Sequence, residues 1–392
     1  MTYRLTNFAG WRITVASLAA VFATASVCAA QVIQVGSNRS VKTIAEAARL
    51  ARDGDTVEVD AGSYYGDVAV WKQSDLQLRA VGGRVRLLAS GTVAEGKAIW
   101  VIRGGRITVE GFDFEGAKVP DRNGAGIRFE RGQLTVRSCS FMHNEMGLLT
   151  NNDANAELIV ENSEFAHNGR PDGHNHNLYV GSIASFSVTG SYFHHGSTGH
   201  LLKSRASHNR VMYNRLTDEA GGHSSYELEF PNGGIAYVVG NIVGQNRQTE
   251  NSALISFGAE GYKWPRNELY LVNNTLIDGT YFGGRFLQVK PGADVIRGVN
   301  NLLVGSTPLQ AGALGEFANN FNIQITEFEA DSPQTYRLKA NSRVLGLATD
   351  PGRANQLELK PTREYLHRLG TSALDSVALH PGAIQRTGSK SP

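Results

Sequence analysis

The chain has 392 residues, with 44 Gly, 11 Pro, 2 Cys, 41% hydrophobic and 19% charged side chains. A charged fraction below the usual level of about 25% argues against a disordered polyampholyte or a long exposed coiled coil. Lys plus Arg total 38 and Asp plus Glu 36, and a net charge of +2 argues against a nucleic-acid binder that works through bulk positive charge.

Residues 1–30 carry Arg4 and Arg12, no acidic residue, an apolar run over residues 13–27, and then Cys28-Ala29-Ala30. Those are the three regions of a secretory signal, and cleavage is expected between Ala30 and Gln31. The 15-residue run is short for a membrane span of about 20 residues. Cleavage removes Arg4, Arg12 and Cys28, leaving 36 basic and 36 acidic side chains and Cys139 alone. A periplasmic or secreted chain with one thiol has no internal disulfide and depends on its core.

Residues 42–52 place apolar residues at helical spacing, and Asp53 to Val59 reads as a turn and a first strand. Beyond them a pattern recurs: a small or amide residue, any residue, then an apolar one. It occurs at Phe112-Asp113-Phe114, Cys139-Ser140-Phe141, Ser163-Glu164-Phe165, Ser191-Tyr192-Phe193, Asn214-Arg215-Leu216, Asn241-Ile242-Val243, Asn274-Thr275-Leu276 and Asn301-Leu302-Leu303. The apolar anchors are 27, 24, 28, 23, 27, 33 and 27 residues apart. Several short alternating runs per unit of about 25 residues describe one coil of a β-solenoid. Asn214, Asn241, Asn274 and Asn301 then stack as an amide ladder, with Cys139, Ser163 and Ser191 on earlier rungs. Cys139 is expected to be a small buried residue.

The stretch IAEAARLARDGDTVEVDAGSY, with YRLKANSRVLGLATDPG (residues 336–352) and HPGAIQ (residues 380–385), resembles the pectin-lyase superfamily over roughly residues 32–385. The resemblance implies an all-β fold: a single-stranded, right-handed parallel β-helix of about ten coils with a short N-terminal capping helix. The expected division is a signal peptide (1–30), a β-helix domain including its cap (31–345), and a C-terminal cap and tail (346–392). The superfamily contains lyases, hydrolases, epimerases and non-catalytic tailspike-like proteins, so fold does not settle function.

Nine of the eleven His lie within residues 143–223, where an even spread would place about two. That stretch also holds three strand-like runs, at residues 176–180, 200–205 and 225–230. With Leu178, Val180, Leu202, Ser204, Leu228 and Phe230 inward, Tyr179, Lys203 and Glu229 form one outward column, with neighbours about 5 Å apart. Asn177, Leu201 and Glu227 form a second column; Arg205 extends the row, and His176 and His200 lie at its near end. Tyr179, Lys203, Arg205, His176 and His200 are the candidate catalytic residues. Asn177, Tyr226, Glu227 and Glu229 are the candidate substrate-binding residues.

For a uronate-containing acidic polysaccharide this set suits β-elimination. Lys203 and Arg205 would neutralise the uronate carboxylate, Tyr179 or His176 would take the C5 proton, and a nearby Tyr or His would protonate the leaving oxygen. The resemblance implies a Lys or Arg base beside Ca²⁺, and Glu227-Leu228-Glu229 looks like the Glu-x-Glu cation site of the chondroitinase-B-like branch. Two departures weaken that site: the pair follows the Lys203 strand by one coil, and no Asn stands beside it. Uronate epimerase, glycoside hydrolase, and a non-catalytic carbohydrate-binding solenoid remain alternatives. On the plainer reading, Lys203 and Glu229 are a surface ion pair worth under about 1 kcal/mol. Tyr192 and Tyr237 read as locally packed, Asp172-Gly173 and Asn232-Gly233-Gly234 as turns. His174, His176, His194 and His195 form an alternative transition-metal set. The expected partner is a polysaccharide, with no nucleic acid, no membrane after cleavage, and a monomeric state.

Overall fold

A computed structural model of the protein describes residues 1–3, 30–171, 175–309, 314–331, 333–375 and 380–387. The expected signal segment, the Asp172-Gly173 turn and His174 lie wholly or largely outside them. Among the described residues no helix is long and apolar enough to cross a membrane.

The chain winds as a parallel β-solenoid of about ten turns. One face is a nine-stranded sheet, and a 21-stranded sheet forms the rest of the wall. A representative coil runs Ala125–Phe129, Gln133–Arg137 and Ser140–Met142. Alternation decides which side chains enter: Leu134, Val136 and Phe141 are buried, while Gln133, Thr135 and Arg137 face outward. Stacking coils turns each inward position into a column, and the columns form one continuous core.

The repeat anchors stack in register from Phe114 through Phe141, Phe165, Phe193, Leu216, Val243 and Leu276 to Leu303. The rings of Phe114, Phe141, Phe165 and Phe193 are parallel, with centroids 4.9, 4.7 and 4.8 Å apart. Two residues before each anchor runs the ladder. Asn214 N–H donates to Asn241 Oδ1, Asn241 N–H to Asn274 Oδ1, and Asn274 N–H to Asn301 Oδ1, each at 2.9 Å. It begins at Cys139 N–H, which donates to Ser163 Oγ, and ends one rung beyond expectation at Asn320. Cys139 is fully buried, and burial pushes its thiol up to about 12. It is an inert core residue.

The described residues contain one α-helix, Ile44–Leu50, capped by the Thr43 hydroxyl and by Asp67, which accepts from Ile44 and Ala45 N–H. Ile44 and Ala47 join the core. At the other end Phe328, Leu338 and Val344 pack on Leu302 and Ile323. Among the described residues, the stretch 353–373 runs back along the wall. Ala354 and Leu359 pack on Tyr213, Tyr237 and Tyr270, Gly370 N–H donates to Gly190 O, and Arg368 reaches Glu164.

Candidate functional site on the nine-stranded sheet

The outward column expected from the sequence forms on the nine-stranded sheet. Tyr179 pairs in register with Lys203, and Lys203 with Glu229. The three strands that present them are only three residues long, Leu178–Val180, Leu202–Ser204 and Leu228–Phe230, with the flanking residues of each pointing into the core. Upstream the column continues to Leu149 and then Arg128.

Charge is tightly paired along this face. Lys203 Nζ lies 3.0 Å from Glu229 Oε2 and donates to Glu260 Oε1 at 2.9 Å. Arg205 forks onto both Glu260 oxygens, at 2.5 and 3.0 Å, and its Nε donates to the Tyr179 hydroxyl at 2.8 Å. Its Nη1 also donates to Asn232 Oδ1 at 2.9 Å, and Trp264 Nε1–H donates to the Arg205 carbonyl. Hydrogen bonds from Arg205 hold the Glu260 carboxyl down at about 2. Burial alone would lower the Arg205 guanidinium, but bonds to Glu260 and Tyr179 outweigh it and raise it.

His176 and His200 stack 4.6 Å apart, and His176 lies parallel to Tyr179 at 5.6 Å. His176 Nδ1 accepts the His200 backbone N–H at 2.9 Å, and His200 Nδ1 accepts the Tyr226 N–H at 3.3 Å. A neutral ring whose Nδ1 accepts must carry its proton on Nε2. Both imidazoles therefore present an Nε2–H donor, His200 towards Glu229 Oε2 at 2.9 Å. Burial holds His200 below the usual histidine range despite Glu229. This tautomer removes His176 as proton acceptor and suits it to hydrogen-bond donation. Gly199 makes the approach feasible, since a Cβ there would lie 1.4 Å from Asn175 O.

The second column does not face outward. Asn177, Leu201 and Glu227 are all fully buried. Asn177 is the last rung of another amide ladder: it accepts from Asn168, which accepts from Asn144, and it donates to His194 O. Glu227 Oε1 accepts from Ser224 Oγ at 3.0 Å while Oε2 has no hydrogen-bond partner. Burial, then Asp218, pushes its carboxyl well above the usual range. A substrate contact by Asn177 or Glu227 is thus excluded by burial. Glu227 and Glu229 also fail as a shared Ca²⁺ pair, because one is sealed inside and the other is engaged by His200 and Lys203. Tyr226 is half-exposed, edge-on to His200 at 5.1 Å.

Four residues of the face escaped sequence reasoning: Arg128, Asn232, Glu260 and Trp264. Asn232 was read only as a turn residue, although Gly233 and Gly234 beside it do have φ of +73° and +86°. Arg128 donates to Asn151 Oδ1 and makes no ion pair among the described residues. With Asn123, Asn151, Asn152, His176 and Tyr179 it lines a pocket of about 340 Å³. Extending the Tyr179 register two coils upstream would have found it. The other histidines separate: His143, His167 and His195 stack in a column of their own, 5.1 and 4.4 Å apart. Burial, then neighbouring imidazoles, lowers His167 to about 4. Tyr192 packs locally, donating to Glu219 at 2.6 Å, and Tyr237 stacks on Tyr270.

Among solved structures, pectate lyase Pel9A matches with a TM-score of 0.58 and 13% identity over 92% of this chain and 98% of that one. The fold is the right-handed parallel β-helix of the pectin-lyase type. At that identity the likeness establishes fold alone. Two further matches are looser: Geobacillus virus E2 ORF18 (TM-score 0.48, 13% identity, 68% of this chain and 52% of that one) and the PL6 family polysaccharide lyase Pedsa3628 from Pseudopedobacter saltans (0.36, 14%, 78% and 96%). No protein-family model and no curated protein matches the chain.

Proposed function

We propose that this β-helix is an exported polysaccharide-active enzyme, a lyase that cleaves a uronate-containing acidic polysaccharide by β-elimination. The observation that carries the reading is the Tyr179 hydroxyl, anchored by Arg205 Nε and set in an open polar pocket beside Arg128, which bonds Asn151 and makes no ion pair among the described residues. The fold likeness to a pectate lyase supports it.

The uronate carboxylate pairs with Arg128, because Lys203 and Arg205 are already neutralised by Glu229 and Glu260. Pairing that carboxylate makes the C5–H bond more acidic. As the phenolate, its oxygen supported by the Arg205 donor, Tyr179 takes the C5 proton and becomes the phenol. The electron pair moves into a C4–C5 double bond as the C4–O bond breaks. The proton now on Tyr179 passes to the leaving oxygen, which accepts a hydrogen bond from His176 Nε2–H. Tyr226, edge-on to His200, is read as a sugar-ring contact. Residues 1–30 are read as a cleaved signal, giving a periplasmic or secreted monomer, and the helix Ile44–Leu50 as the cap over the first coil.

A C5 epimerase would share the proton abstraction but keep the C4–O bond. The test follows: incubate the protein with a panel of uronate polymers and record ultraviolet absorbance of the unsaturated product. Epimerisation and hydrolysis give no such absorbance, and a binding protein changes nothing. Full activity in Tyr179→Phe and Arg128→Ala would remove this assignment of residues.

A further inference from the structure

A second cluster lies away from the Tyr179–Arg205 pair. The strands Ser140–Met142, Glu164–Ala166 and Tyr192–His194 pair in register, bringing Met142, Ala166 and His194 to one row. The next residue in each coil is a histidine, and His143, His167 and His195 have φ of +57°, +55° and +45°. A non-glycine residue rarely adopts that conformation, yet it recurs on three successive rungs. His194 closes on the column from the side, its ring centroid 4.8 Å from His195 and 6.0 Å from His167. One ring nitrogen from each of His167, His194 and His195 lies within 4.8 Å of the others.

The protons in this cluster are constrained. Glu164 Oε1 accepts from Arg368 Nε at 2.8 Å, and His194 Nε2 lies 2.9 Å from the same oxygen. A carboxylate paired with a guanidinium only accepts, so His194 carries a proton on Nε2. His195 Nδ1 is turned to His194 Nδ1, 2.6 Å away. Neutral His194 therefore presents its Nδ1 lone pair to His195. A metal ion can take that lone pair in place of a ring N–H of His195.

We propose that His167, His194 and His195 bind one divalent transition-metal ion of the zinc class. Three neutral imidazoles suit such an ion and do not suit Ca²⁺ or Mg²⁺. Glu164 orients the ligand ring, as carboxylates behind metal-bound histidines do. His167 is exposed, so a fourth position faces solvent. Zn–N bonds of about 2.05 Å put tetrahedral ligand atoms roughly 3.3 Å apart, so the His194–His195 pair opens by about 0.7 Å on binding. Rotation of the half-buried His195 ring supplies that.

The experiment uses purified protein without a histidine tag, washed with EDTA, and titrated with Zn²⁺ by calorimetry and with Co²⁺ by visible absorption. One equivalent is expected, with an intense tetrahedral Co²⁺ band. His167→Ala and His195→Ala should each weaken binding at least tenfold, and Glu164→Gln by about 10–100-fold. His143→Ala should leave it unchanged. His167 is exposed, so its variant is expected to fold, and circular dichroism checks this. No saturable single equivalent, or one that survives both histidine variants, would overturn the proposal.

Discussion

Arg205 Nε and the Tyr179 hydroxyl stand 2.8 Å apart on neighbouring coils, the guanidinium donating and the phenol oxygen accepting. The same guanidinium forks onto Glu260, so the orientation of Tyr179 depends on a chain of contacts spanning several coils.

Removing the phenol oxygen tests whether that contact serves chemistry. Tyr179→Phe keeps the ring stacked on His176 and deletes the group read as base. Turnover on the responsive polymer is expected to fall by about 10²–10⁴-fold with an unchanged circular dichroism spectrum. A loss under threefold would assign Tyr179 to packing.

Glu260→Gln loosens both cations. The Glu260 carboxyl is held at about 2 in the folded chain, below its ordinary value of 4.5. Its stabilisation is therefore fully present above about pH 4.5 and is lost as pH falls through about 2. The side chain is 42% exposed, so screening limits the effect to under about 1 kcal/mol at pH 7. Denaturant melts of wild type and variant should differ slightly at pH 7 and converge near pH 2. Activity should fall more than stability, because Arg205 loses its bidentate partner.

Glu227 has the opposite sign. Its folded value is raised by burial, so the native state keeps a proton that the unfolded chain releases above about pH 4.5. Stability therefore declines as pH rises from there towards the raised value. Glu227→Gln should be near neutral at pH 4 and stabilising by on the order of 1 kcal/mol at pH 8. Thermal melts at the two pH values measure this, and a variant destabilised at pH 8 would mean the carboxylate is ionised in the fold.

The amide ladder carries its own prediction. Asn241 accepts from Asn214 N–H and donates to the Val211 and Val239 carbonyls, all buried. Asn241→Ala strands these groups without water, at about 1–3 kcal/mol for each unsatisfied group. The midpoint of urea unfolding should drop clearly, while Asn246→Ala, nearer the surface, should shift it less.

The legible parts of this molecule are those governed by period. Stacked anchors such as Phe141 and Phe165 repeat every coil, and the Tyr179–Lys203–Glu229 register follows from strict alternation inside a strand. Alternation stops where the strand stops. Asn177, Leu201 and Glu227 each precede a three-residue strand by one position, and the incoming turn rotates them inward. Glu260 and Trp264 belong to the stretch after the strand Ala253–Phe257, which folds back onto the face with no periodic signature. The histidine cluster was visible as composition, but its division into a His176–His200 stack and a His143–His167–His195 column depends on turn geometry.

The central claim is elimination on a uronate polymer at the Tyr179 face. The most direct measurement is ultraviolet absorbance during incubation of wild type, Tyr179→Phe and Arg128→Ala with a panel of such polymers. Absorbance that rises with wild type on at least one polymer and is lost in both variants is the predicted result. No rise on any uronate polymer, or a rise that both variants retain in full, would contradict the account.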